Sequence, residues 1–211
     1  MLQMMKKEFQ LNLMSIILVI ILIPAAYVLN ISSSFLYIAM AFGFIFNAFY
    51  YDGKNHVNRF IKSLPIKPKH VVLGRYLLLF CISIILLIYL SIIDSIAQQH
   101  LPYLSFQPLT WIILLGLFAI TSIISAISYP IYYAIQSFTI AIGVIIGVIA
   151  LTASVIGIVL NLFHAQLEQF IIFILNFIQF QPALIIILFS MGCLFLSYLL
   201  SSWIYARKDI Q

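Results

Sequence analysis

Residues 52–93 read DGKNHVNRFIKSLPIKPKHVVLGRYLLLFCISIILLIYLSII. The first half is basic. The second half, from Val71 to Ile93, is an apolar run long enough to cross a bilayer, for which about 20 residues suffice. Of the ten Lys and Arg in the chain, six lie between Lys54 and Arg75; the others are Lys6 and Lys7 at one tip and Arg207 and Lys208 at the other. Everything between these places is free of Lys and Arg. In a membrane protein cations are retained on the cytoplasmic side, so this layout predicts both termini and the segment after Tyr51 on that side.

Composition agrees. The 211 residues are 65% hydrophobic and 7% charged, whereas a soluble domain carries about 25% charged residues. A water-exposed surface cannot be covered from this stock, so the solvent is lipid. The net charge of +5 then reflects topology, not affinity for nucleic acid. The run after Lys7 continues to Leu29 with no small-residue cleavage site beyond it, and is expected to be a span, not a cleavable leader. Cys81 and Cys193 sit inside apolar runs and are expected to be buried free thiols; no disulfide or zinc spacing is present.

Working outward, six spans are expected: Leu11–Leu29, Ser34–Tyr51, Val71–Ile93, Leu109–Ser128, Phe138–Leu162 and Ala183–Tyr205. Runs of this length lack the alternation of barrel strands, so the fold class is all-α, one polytopic domain over residues 1–211. The outward connections would be Asn30–Ser33, Asp94–Pro108 and Phe163–Pro182, with Asp94 and Glu168 solvated in them. The fourth connection, Tyr129–Ser137, carries no charge, and Pro130 and Gln136 mark a break there. Phe170–Phe180 is apolar but too short to span and reads as a re-entrant or interfacial segment closed by Pro182.

Asp52–Pro65 has the marks of a short amphipathic helix. Asp52 is a good N-cap. Val57, Phe60, Ile61 and Leu64 form one stripe, with Lys54, Asn58, Arg59 and Lys62 largely off it, and Pro65 ends the helix. Such a helix either anchors the loop to anionic lipid or docks into a groove on a cytoplasmic partner. In the fifth span, Gly143-x-x-x-Gly147 allows close approach of another helix, within the chain or from a second copy. His164 and Glu168 stand four residues apart, but two ligands do not make a metal site. No ionisable group lies mid-span, which argues against a proton relay. Paired acids or a Ser/Lys pair at common depth are also missing, so an intramembrane enzyme is not indicated.

The strings Asp52-Gly-Lys-Asn-His-Val-Asn-Arg-Phe-Ile-Lys-Ser-Leu-Pro-Ile and Lys69-His-Val-Val-Leu-Gly-Arg-Tyr-Leu resemble the connection between the second and third spans of ABC-2 type transporter permeases. The layout of about 210 residues, six spans and inward termini resembles that family along the whole chain. The resemblance implies a type V exporter-like fold, a permease dimer formed with a second copy or a paralogue, and separate ABC ATPase subunits below it. It makes the segment after the second span a coupling helix. That role falls on Asp52, Asn55, Asn58, Arg59, Phe60, Ser63, Leu64 and Pro65. It makes residues 2–13, where Leu2, Met5, Phe9 and Leu13 share a face, an amphipathic connecting helix, and residues 170–181 an outer re-entrant segment. The uncharged stretch Tyr129–Gln136 departs from relatives that carry charge there. Small permeases of this type include exporters of amphipathic cytolytic peptides such as phenol-soluble modulins and self-protection pumps against antimicrobial peptides. The implied location is a bacterial plasma membrane, in contact with its lipid.

No G-x-x-x-x-G-K-[ST] loop occurs, so the chain is not expected to hydrolyse ATP; ATP and Mg would sit on a partner, and no cofactor or metal is expected in this chain. The alternative reading is a non-transport membrane assembly or sensor subunit whose basic helix binds lipid.

Overall fold

Long apolar segments in lipid must satisfy every backbone group internally, and the chain does so as helices. The computed structural model describes residues 2–54, 68–104, 106–135, 137–162 and 181–207. Among these are six helices: α1 (Leu2–Val28), α2 (Ser33–Lys54), α3 (Pro68–His100), α4 (Trp111–Ala134), α5 (Phe138–Leu162) and α6 (Pro182–Arg207). Five of them, α2 to α6, are long and apolar enough to cross a membrane; α1 has a shorter apolar stretch, Ser15–Val28, within its 27 residues.

Side-chain contacts give the topology. Asn47 near the end of α2 donates to Ser15 of α1 at 2.6 Å. Arg75 near the start of α3 donates to Tyr133 near the end of α4. Tyr76 meets Ser197 and Ser201 near the end of α6, and Phe138 opening α5 meets Tyr50 ring to ring. Neighbours in sequence therefore run antiparallel. The starts of α3 and α5 share one end, here called the basic end, with the last turns of α2, α4 and α6.

The bundle is apolar outside and more polar within. Leu188 and Leu196 are 69% and 67% exposed, while Ser125, Ser190 and Ser201 are fully buried. Lipid tails are as apolar as Leu, so nothing drives large aliphatic side chains inward; small hydroxyl residues let helices approach. The most extensive contact is between α4 and α6. Serines line it, several donating to the carbonyl one turn back, such as Ser125 to Thr121 and Ser190 to Ile186.

Several expectations need correcting. The break at Pro130 does not occur: α4 runs on to Ala134. Proline at 130 removes the N–H that would bond the Ala126 carbonyl, and Ser197 of α6 donates to that carbonyl at 2.8 Å. Pro24 inside α1 is compensated in the same way. It frees the Ile20 carbonyl, and Tyr89 of α3 donates to it at 2.9 Å. Within a membrane a helix-breaking proline is tolerated when a neighbouring helix re-satisfies the freed group. Residues 2–13 are helical, and their backbone continues directly into the apolar part of α1. Both cysteines are free, but Cys81 is exposed and Cys193 only half-buried.

Helix ends follow local chemistry. Asn30 adopts a left-handed φ of 55°, a conformation Asn tolerates. It closes α1 with a Schellman pair, Ile31 N–H to Ala26 O and Asn30 N–H to Tyr27 O. Thr110 caps α4 by accepting from the Ile113 N–H. Pro182 starts α6, where its missing N–H costs nothing.

Candidate functional site

The basic segment singled out in the sequence is bracketed by α2 and α3. Asp52 lies in the last turn of α2, whose helical backbone extends to Lys54. It therefore does not act as the N-cap of a separate helix, because an N-cap has non-helical backbone angles. Asn55, Asn58, Arg59, Phe60, Ser63, Leu64 and Pro65 lie outside the described residues, as do His164, Glu168 and Phe170–Phe180.

What the structure describes is the ends of α2 and α3 on either side of this segment and the helices packed against them. Just inside the basic end, aromatic side chains from four helices interlock. Phe49 of α2 stacks on Tyr132 at a centroid distance of 3.7 Å and meets Tyr129 edge-on. Tyr76 of α3 stacks on Tyr129 at 4.6 Å, and Tyr133 meets Tyr205 of α6. The rings are pinned by hydroxyls: Tyr132 donates to the Phe49 carbonyl at 2.8 Å. Into this block projects Arg75, only 4% exposed. Its guanidinium lies 5.6 Å from the Tyr133 ring centre and 5.9 Å from that of Phe49, and Nη1 donates to Tyr133 Oη at 3.3 Å. A desolvated cation over ring faces is worth about 2 kcal/mol. With the Tyr133 hydrogen bond, that stabilisation offsets part of the several kcal/mol that burying a charge costs.

The hydroxyl of Tyr76 shares hydrogen bonds with Ser197 Oγ at 2.6 Å and Ser201 Oγ at 2.9 Å. Tyr76→Phe keeps the ring and removes both. The expected loss is about 1–2 kcal/mol, the upper range for interhelical hydrogen bonds in membranes, read as a lowered unfolding midpoint in detergent.

At the far end the structure overturns the placing of Asp94 in a solvated loop. Asp94 is inside α3 and only 3% exposed. Tyr27 of α1 donates to its Oδ1 at 2.7 Å and the Leu109 N–H to its Oδ2 at 2.8 Å. The acid was legible as the one charge interrupting an otherwise apolar run. Its burial was not, because the partners come from residues 27 and 109.

Between α1 and α2 an open groove of about 660 Å³ runs from Leu29 and Ile31 to Ser15, Asn47 and Tyr50. Its wall is apolar except for Ser15, Asn47 and Tyr50 at the basic end. Beside Gly143 and Gly147 of α5 there is open space among the described residues: no described atom lies within 4 Å of where a Cβ would stand. α5 touches only α2 and α4 among the described helices. Among the described residues no three of His, Cys, Asp and Glu come together.

A family model for ABC-2 family transporter proteins matches residues 2–206. No curated protein and no solved structure matches the chain.

Proposed function

The chain belongs to the ABC-2 family of transporter proteins, and from that premise we propose that it is the permease of an ATP-driven exporter, moved by a separate ATPase docked on the basic segment. Membership makes it a multi-pass membrane subunit with a permease role in an ABC transporter, associated with an ABC ATPase. Nucleotide and magnesium belong to that partner. The finer reading has six spans with both termini cytoplasmic, supported by the confinement of all ten cations to three places. In it Asp52, Asn55, Asn58, Arg59, Phe60, Ser63, Leu64 and Pro65 form the docking element.

The observation that carries the proposal is the position of this basic, amphipathic segment: it joins α2 to α3 where four helices are locked by Arg75 and its aromatic neighbours. A push there reaches the bundle as a unit. The cargo is amphipathic or hydrophobic, with a cytolytic or antimicrobial peptide the best fit. The apolar wall of the α1–α2 groove supports this, with polar groups only at its basic end. A second permease copy or a paralogue packs on α5, a reading supported by the open space beside Gly143 and Gly147.

The test is purification of tagged full-length protein from its own cell in mild detergent. The expected result is co-purification of a P-loop ATPase whose vanadate-sensitive hydrolysis is retained in nanodiscs. Recovery of stable, monodisperse permease with no ATPase would favour a non-transport subunit whose basic helix binds lipid.

A further inference from the structure

Among the described residues the buried charged side chains are Arg75 and Asp94, and both stand on α3. At 1.5 Å per residue they are about 28 Å apart along α3, close to the roughly 30 Å of a hydrocarbon core. Each fastens α3 to different partners. At the basic end Arg75 and Tyr76 tie it to α4 and α6. At the far end Asp94 ties it to α1 through Tyr27 and to the entry of α4 through the Leu109 N–H. The described parts of the loop over residues 101–110 are drawn onto the same joint. Gln98 donates to the Phe106 carbonyl at 3.3 Å, Tyr103 to the Val28 carbonyl at 3.1 Å, and Phe106 meets Tyr27 edge-on at 5.5 Å. Between the two joints α3 contains neither proline nor glycine, the residues at which helices most often kink. Its first residue, Pro68, directly follows the basic segment.

We infer that α3 is a strut that carries displacement of the basic segment across the membrane to the loop at 101–110 and the far end of α1, with Asp94 as the positioning residue of the far joint. This rests on the ATPase-docking reading above. Two short hydrogen bonds from separate elements fix the loop and α1 to one carboxyl. α3 cannot slide along its axis without taking both or breaking both. Packed helices pass such shifts on as discrete rearrangements instead of absorbing them. With the carboxyl altered, α3 still answers the ATPase but the far loop no longer follows.

The experiment uses the permease with its co-purified ATPase in nanodiscs. Gln107, exposed in this loop, is replaced by Cys in a Cys81→Ser/Cys193→Ser background. Its labelling rate by a polar maleimide is compared without nucleotide and with ATP plus vanadate. The expected result is a several-fold nucleotide-dependent change that Asp94→Asn and Tyr27→Phe abolish, with bound ATPase and basal hydrolysis retained and the protein still folded at the assay temperature. Should Asp94→Asn fail to fold, Tyr27→Phe decides, since it leaves the carboxyl and its Leu109 bond in place. Unchanged nucleotide dependence in the variants overturns the strut, as does its absence in the parent with active ATPase bound. Absence of any ATPase removes the docking reading and the strut together.

Discussion

Asp94→Ala is expected to lower stability by about 2–6 kcal/mol, because it strands two donors, the buried Tyr27 hydroxyl and the part-buried Leu109 N–H, at about 1–3 kcal/mol each. Both bonds are short, 2.7 and 2.8 Å, and Asp94 and Tyr27 are both buried. Asp94→Asn keeps one acceptor oxygen and is expected to lose about half as much on the same basis. A double-mutant cycle with Tyr27→Phe isolates the pair, with an expected coupling of about 1 kcal/mol for a hydrogen bond between membrane helices. The measurement is reversible unfolding in mixed micelles. A coupling of zero, with Asp94→Ala as stable as the parent, would show that the carboxyl contributes nothing to holding α1 and the entry of α4.

The second large effect is functional. Arg59→Glu is expected to reduce recovery of the ATPase more than tenfold, since reversing a charge in a docking contact costs about 2–5 kcal/mol. The apolar stripe of Val57, Phe60, Ile61 and Leu64 should remain able to seat the helix. Arg59→Lys separates the two roles open to this segment. Lipid attraction depends on charge near the surface, about 1 kcal/mol per cation, and Lys preserves it. Docking that uses the planar guanidinium fork is weakened by Lys. Lost ATPase binding in Arg59→Lys with unchanged binding to anionic vesicles supports docking. Equal behaviour of Lys and Arg at this position, together with parallel loss of vesicle and ATPase binding in Arg59→Glu, would assign the segment to lipid.

Much of the architecture is legible in the sequence. The run from Val71 to Ile93 appears as the middle of α3, and the fifth span was placed at Phe138–Leu162, the bounds of α5. Length and hydropathy suffice for this because lipid leaves the backbone one economical choice. The errors fell where a remote partner changes the local rule. Pro130 predicts a break from its own chemistry; Ser197, far along the chain, removes the reason for one. Asp94 follows the apolar run as a loop residue would, until Tyr27 and Leu109 enclose it. Arg75 was counted with the loop cations because nothing nearby in sequence announces rings at 49 and 133. The glycine pair of α5 is the converse case. A motif for close packing is present in the chain, yet among the described residues the most extensive helix contact is the serine-lined one between α4 and α6.

The sequence by itself determined that this is an all-helical membrane protein with its cations gathered in three places, because composition and charge act through the solvent and need no partner. The ABC-2 resemblance was carried by residues 52–77 as a string, independent of their conformation. Only the tertiary structure decided which polar groups are inside and what they hold. Hydrogen bonds such as Tyr27–Asp94, Tyr76–Ser197 and Ser197–Ala126 join residues between 67 and 121 positions apart. Burial of a polar side chain in lipid depends on such a partner being in reach, and reach is a property of the fold.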